Sequence, residues 1–374
     1  MCTNSSFHKA DLVGSFLRPE KLKEARENYE AGKINLEELT AVEDEAILYI
    51  ITKQKELGYK AISDGEFRRS YWHLDFFWGF NGVDHVNMGQ GYMFHGEETR
   101  DDSARLSGKI NFSDNHPFLA HFKFLKENVG DNAEARLSIP SPSQLYAELV
   151  RGVNEDKVKD IYPNQTDFVN DIAKAYRDSI LAFYDLGCRN LKLDDCTWGM
   201  LCDTEFWKTM AGPNFDTKVL EDLYLKLNNK ALENLPADLK LSTHVCRGNY
   251  HSTYATSGGY EPVAESLFAK ENVETYFLEY DDERSGDFEP LRFVPKDKKV
   301  VLGLVTSKTP QLEEKETIKS RILEAAKYID LERLSLSTQC GFASTEEGNI
   351  LTEEDQWKKI QLVQEISKEV WPQS

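Results

Sequence analysis

The sequence predicts an α/β protein folded as a single (β/α)8 TIM barrel over residues 1–374. Three observations carry that expectation. Eight short β-branched or apolar runs recur along the chain, helical periodicity fills most of the intervals, and polar residues stand just past the runs. In a barrel of this kind the strands are parallel and the functional groups gather at their C-terminal ends.

The runs are 10–14 (ADLVG), 59–64 (YKAISD), 134–139 (EARLSI), 189–194 (RNLKLD), 240–245, 273–279, 299–305 (KVVLGLV) and 333–338. Between the first two, Asn35 to Gly58 reads as a helix. Asn35 and Glu38 make a capping box, Leu39, Val42, Ala46 and Ile50 share a face, and Gly58 ends it. Thr166 to Gly187 repeats the pattern with Phe168, Ile172, Tyr176, Ile180 and Phe183. Further helices fit 216–234, 313–329 and 353–368. The stretch 70–132 is too long for an ordinary connection. It carries Tyr71, Trp72, Phe76, Phe77, Trp78 and Phe80, then Gly-rich and acidic turns, and is expected to leave the barrel between strands 2 and 3 and cap its mouth. No internal repeat, low-complexity tract or Pro/Ser-rich linker divides the chain.

The composition, 40% hydrophobic and 29% charged, is that of a soluble globular protein. A formal net charge of −19 disfavours nucleic acid or an anionic membrane as partner, though a small anion in a local basic pocket stays open. No apolar run approaches the roughly 18 to 20 residues that span a bilayer. The start, MCTNSSFHKADLVGSF, lacks the basic and apolar regions of a signal peptide, so a cytoplasmic location is expected. Six scattered cysteines without a secreted-scaffold pattern fit reduced thiols.

The polar residues past the runs are Ser15, then Asp64 and Glu66, Ser138 and Ser141, Asp194 and Asp195, His244 and Cys246, Glu279, Thr306 and Ser307, and Cys340. His244-x-Cys246, Glu279 and Cys340 supply one imidazole, two thiols and one carboxylate, a tetrahedral donor set suited to zinc. They lie too far apart for a zinc knuckle, so they converge only if the fold brings strand ends together. Zinc with two thiolates and a carboxylate carries one net negative charge. It activates water weakly but keeps a bound thiolate electron-rich. With no His-x-His in the chain, the set points to alkylation of a substrate thiol. The alternatives are a zinc-water hydrolase, which needs an open site and a general base, and a barrel with a purely structural zinc. Glu66 and Asp194 are candidates to hold a substrate ammonium; pairing of Glu66 with Arg68 or Arg69, and helix capping by Asp194–Asp195, are the plainer alternatives. Ser15, at a Gly-Ser turn, offers its N–H and hydroxyl to a carboxylate. His73, His116 and His121 are candidate acids or bases in the excursion.

The stretches DLVGSFLRPEKLKEARENYEAGKI, ISDGEFRR, LKLDD, STHVC, FLEYDDERSGDF and LSLSTQCGFAS, spread from residue 11 to 344, resemble the C-terminal catalytic barrel of the cobalamin-independent methionine synthases. The resemblance implies transfer of a methyl group from a folate to zinc-bound homocysteine. It implies Zn2+ on His244, Cys246, Glu279 and Cys340, and homocysteine on Ser15, Glu66 and Asp194. It also implies that the substrate thiol reaches the metal by displacing or adding to a protein ligand. Two departures concern the methyl donor. Full-length members carry two barrels where this chain has room for one, which removes part of the site for a folate's polyglutamate tail. The family's proton-donating histidine, in an Asp-Ile-His-Ser-Pro context after the seventh strand, gives way here to LGLVTSKTPQLE with Lys308. A simple folate, a methylated corrinoid on a partner protein, or a small sulfonium or methylthio compound are therefore all open as donors. Arg18, Lys21, Lys23 and Arg26 are the residues that could form a small basic groove for a folate tail.

Overall fold

A computed structural model describes residues 7–372. Cys2 and most of the polar start lie outside the described residues. The central feature is a parallel sheet in which Leu137–Pro140, Asn190–Asp194, Lys240–Val245, Thr275–Glu279, Lys299–Val305 and Leu334–Thr338 lie side by side in chain order. Five of the six are wholly or almost wholly buried. That explains why they read as apolar runs rather than as alternating patterns. A short parallel pair, Ala61–Ile62 with Glu134–Ala135, continues from the first of them.

Among the described residues the strand ladder does not close into a barrel, and the shortfall lies in the first two expected strands. Of 10–14, only Ala10 makes a ladder contact, a parallel bridge to Leu336. Past that point the local groups find other partners: Leu12 N donates to its neighbour's carboxylate, Asp11 Oδ1, at 2.7 Å, and Gly14 takes φ +151° with its carbonyl on Ser63 Oγ. Phe16 N donates to Gly65 O at 3.1 Å, so this segment still lies against the second one. The expected strand 134–139 is interrupted at Arg136. Its buried guanidinium reaches Asp11 Oδ1 (2.5 Å), Leu12 O and Asn190 Oδ1, tying the first segment beneath the sheet.

The helices fall where periodicity placed them, with ends that differ by at most four residues. Leu36–Glu56 has the capping box of Asn35 and Glu38, and Gln165–Asp185 buries Phe168, Ile172, Tyr176, Ile180 and Phe183. Lys218–Ala231, Lys315–Ala325 and Glu353–Val370 are the other three. The stretch 70–132 holds its own structure: an antiparallel pair, Asn81–Asn87 with Asp102–Asn111, and the helix Pro117–Val129. Among the described residues no helix is long and apolar enough to cross a membrane.

Candidate functional site: a metal-type group beside buried carboxylates

The strand register sets the site. Asp194 and His244 are direct neighbours at the C-terminal ends of adjacent strands, about 4.8 Å apart. Cys246 follows one residue beyond its strand. Cys340 follows Leu334–Thr338, held by Gln339 N to Val305 O (2.9 Å) and Thr338 Oγ1 to Cys340 O (2.7 Å). The ligand atoms of His244, Cys246 and Cys340 lie within 4.8 Å of one another and all three residues are buried.

Neither ring nitrogen of His244 has a hydrogen-bond partner, although the residue is only 3% exposed. An unmet buried polar atom costs about 1–3 kcal/mol. Two on one imidazole, beside two thiols, fit a metal-binding position, and the nitrogen–sulfur donors suit zinc. Glu279, the fourth ligand in the sequence reading, lies outside this group. Its Oε2 accepts the N–H of Arg247 (2.7 Å) and its Oε1 accepts Arg284 Nη2 (2.6 Å), with Lys308 Nζ at 3.7 Å. Neither arginine role was legible in the sequence, because a cation that balances a buried carboxylate can come from any nearby loop.

A cavity of about 410 Å³ opens over the group and is lined by Ser15, Glu66, Asp194, His244, Cys246 and Cys340 together. Glu66 has φ +62° after Gly65 at φ +69°, strain that this non-glycine residue sustains through three bonds. Its N–H donates to Asp64 Oδ1 (2.9 Å), and its carbonyl accepts Arg18 Nη2 (2.7 Å) and Arg69 N (3.0 Å). The side chain lies 3.4 Å from Arg69 Nη1 yet still lines the cavity, so the plain ion pair and the site role coexist. Asp194 Oδ1 and the Nζ of Lys192, both buried, have no hydrogen-bond partner, and the Lys192 ammonium lies 4.9 Å from the centroid of the Phe277 ring. Burial pushes Glu66 up to about 7 and Asp194 up to about 6, against the pull of Arg69 on the first and Lys192 on the second. Asp195, by contrast, caps: Oδ1 accepts Thr197 N (3.0 Å) and Oδ2 accepts Asn228 Nδ2 and Ser143 Oγ.

Ser15 is stitched to the Cys340 loop. Phe342 N donates to its carbonyl (3.0 Å), Ala343 N to its hydroxyl (3.3 Å), and a Cβ at Gly341 would lie 1.9 Å from that hydroxyl. Arg18 locks the same region, donating to Phe16 O, Ala343 O, Glu66 O and Arg69 O. Three of the four residues anticipated for a basic groove, Arg18, Lys21 and Arg26, are committed to other partners. Arg18 is buried on those carbonyls, Arg26 pairs with Glu43 and Glu346, and Lys21 pairs with Glu45.

Of the three candidate histidines in the excursion, His73, His116 and His121, His73 alone lines the cavity. Its Nε2 lies 3.0 Å from the Tyr92 hydroxyl, which donates to Glu148 Oε2 at 2.7 Å, so Nε2 carries the proton. Its Nδ1 is partnerless, and burial lowers the ring to about 3, so it is neutral near pH 7. His116 is turned away, onto Phe76 O, and Lys308 pairs with Asp281 outside the cavity. Cys196, not singled out in the sequence, lines the cavity with its Sγ 3.2 Å from Cys246 Sγ. Its place directly after Asp194–Asp195 was the available signal.

A nitrogen–sulfur donor group able to hold a metal ion stands with paired buried carboxylates at the C-terminal ends of parallel strands. The chain belongs to the cobalamin-independent synthase family, whose catalytic-domain model matches residues 157–354. It is 45% identical over 364 residues to the protein YxjH of Bacillus subtilis, covering 97% of this chain and 94% of that one. It is 22% identical over 337 residues to the methionine synthase of Sulfolobus acidocaldarius, covering 88% and 84%. Among solved structures, the putative vitamin-B12 independent methionine synthase of Listeria monocytogenes superposes with a TM-score of 0.77 at 38% identity, covering 98% of both chains. The B12-independent methionine synthase of a Shewanella species shares the fold, with a TM-score of 0.72 at 18% identity and 97% coverage of each chain.

Proposed function

We propose that this protein methylates the thiol of homocysteine, or a close analogue, on a zinc held by His244, Cys246 and Cys340, forming methionine. The observation that carries the reading is His244: a buried imidazole with two unmet nitrogens between two free thiols, facing a cavity with two partly charged carboxylates. Zinc, when bound there, supplies one thing, a substrate thiol held as a nucleophilic thiolate at neutral pH. The rest falls to the chain. Glu66 and Asp194 hold the substrate ammonium, and the Ser15 turn receives its carboxylate. Lys192, without a hydrogen-bond partner of its own, offsets the two negative charges when the site is empty. Trp72, Phe94, Met200 and Phe206 line the upper cavity and exclude water from the transfer path. The His73 Nδ1 offers a neutral hydrogen-bond acceptor to the donor. Glu279 stands behind the metal group and orients the Arg247 backbone next to Cys246.

The eight strand-end segments are proposed to act as one barrel over the whole chain, with 70–132 as its cap, since Trp72, His73, Tyr92 and Phe94 all come from that excursion. The methyl donor remains a choice among a folate, a corrinoid carried by a partner protein and a small sulfonium compound. Methionine formation from homocysteine should be measured with zinc-loaded protein and each of these donors in parallel. Turnover with one of them, lost on chelation and restored by zinc, is expected. No transfer to homocysteine from any of the three would overturn the reading.

A further inference from the structure

Two features of the cavity wall bear on the chemical class of the methyl donor. The first is composition. Tyr71, Trp72, Tyr92, Phe94, Phe206 and Tyr250 all line this one cavity of about 410 Å³. The face of an aromatic ring is electrostatically negative and attracts a cation within about 6 Å of its centroid. One such contact is already made, for the Arg151 guanidinium lies 4.2 Å from the centroid of Tyr92. Glu148 Oε1, 3.3 Å from Arg151 Nη2, balances that charge, so the wall as a whole does not repel a second cation.

The second feature is where the protons sit. A methyl group leaving a neutral amine strands an electron pair on nitrogen, and an acid must stand ready to protonate it. His73 cannot serve. Its Nε2–H points at the Tyr92 hydroxyl, which itself donates to Glu148, and its Nδ1 is bare. Tyr71, Tyr92, Tyr250 and Cys196 each hold their protons more tightly than usual. Lys308 is paired with Asp281 outside the cavity. Glu66 and Asp194 must be ionised to receive the substrate ammonium, so neither has a proton to give.

We propose that the methyl donor is a sulfonium compound, its cationic sulfur held against the faces of Trp72, Phe94 and their aromatic neighbours. This rests on the homocysteine reading given under Proposed function. In the transfer the thiolate electron pair forms the new carbon–sulfur bond. The pair of the old carbon–sulfur bond returns to the donor sulfur, which leaves as a neutral thioether and needs no proton. The substrate's own thiol proton is released to solvent, and no outside oxidant or reductant takes part. Opposite charges cancel as the bond forms, so a wall that excludes water disfavours the separated charges more than the transition state. The formal net charge of −19 draws a cationic donor toward the site.

Methionine formation by the zinc-loaded full chain, from S-methylmethionine, dimethylsulfonioacetate, 5-methyltetrahydrofolate and methylcobalamin in parallel, tests this. Proton release is followed in weak buffer at pH 7. A sulfonium should turn over fastest and release one proton per methyl transferred, whereas transfer from the folate releases none. Trp72→Leu should raise the sulfonium KM by roughly 3- to 30-fold and leave homocysteine affinity unchanged by calorimetry, and Trp72→Phe should recover most of the loss. Phe94→Leu gives the same comparison if Trp72→Leu does not fold. Faster transfer from the folate or from methylcobalamin would overturn the inference and leave homocysteine methylation standing. A sulfonium KM unmoved in both leucine variants would overturn it equally. Transfer from none of the four would overturn this inference together with the reading beneath it.

Discussion

Changing Glu66 to glutamine isolates how the cavity grips an ammonium. In the empty site burial pushes Glu66 up to about 7, so near neutrality it carries a proton part of the time. An arriving ammonium must expel that proton, so affinity rises with pH. A group titrating near 7 is ionised to about a tenth at pH 6 and about nine-tenths at pH 8, which makes Glu66 worth roughly a tenfold gain in affinity between them. Glutamine keeps the shape and one acceptor but loses the charge, a change of roughly 1.5 to 3 kcal/mol for a charge-assisted contact. That corresponds to about 10- to 150-fold in Kd at pH 8. At pH 6 the gap between wild type and variant should shrink about tenfold. Homocysteine also loses its thiol proton on binding, but that contribution is common to both proteins and cancels in their ratio. The assay is calorimetric titration of homocysteine into zinc-loaded protein at pH 6, 7 and 8, with zinc content measured alongside. Equal affinities, or a wild-type to variant ratio that stays flat with pH, would refute the anchoring role. Stability moves the opposite way in the empty protein. The folded chain keeps a proton that the unfolded chain releases from about 4.5 upward, so this stabilisation is full below that pH and gone above about 7. The variant should lose that slope in urea-unfolding experiments.

Cys246→Ser and Cys340→Ser should each lose most of the bound zinc while the far-ultraviolet circular dichroism stays native; full zinc in both would remove the metal assignment. Gly199→Ala should cost about 1–3 kcal/mol in urea unfolding, because its methyl has no room against the Cys246 carbonyl, and should weaken zinc retention; unchanged stability would show that the helix can shift freely. A triglutamyl folate should serve no better than its monoglutamyl form, since Arg18, Arg26 and Lys21 are already committed to carbonyls and carboxylates. Strong triglutamate preference in initial rates would overturn that.

Much of the site was legible because strand ends are readable. Apolar runs such as KVVLGLV stop where the chain leaves the sheet, so Asp194, His244, Cys246 and Cys340 fall into register once the strands are counted. The first segment was less legible. ADLVG has strand composition, but Asp11 binds its own neighbour's N–H and Arg136, a pairing 125 residues away that no local pattern announces. Glu279 shows the same limit. Its position after a strand was readable, while the two arginine contacts that hold its carboxylate were not. Cys196 was not legible for a different reason: a thiol after two aspartates looks like part of a helix cap, and only the 3.2 Å approach of its sulfur to Cys246 Sγ shows what it touches.

The four carbonyls gathered by Arg18 belong to segments that carry Ser15, Glu66 and the loop after Cys340, all on the thiol side of the cavity. The upper wall comes from elsewhere, from 70–132 and from the helices bearing Met200 and Phe206. The two halves of the reaction are thus inherited on separate parts. On the proposed function, the wall that would face the methyl donor could be rebuilt by mutation without loosening the clamp that presents the nucleophile, so the choice of donor and the choice of acceptor would rest on separate parts of the chain.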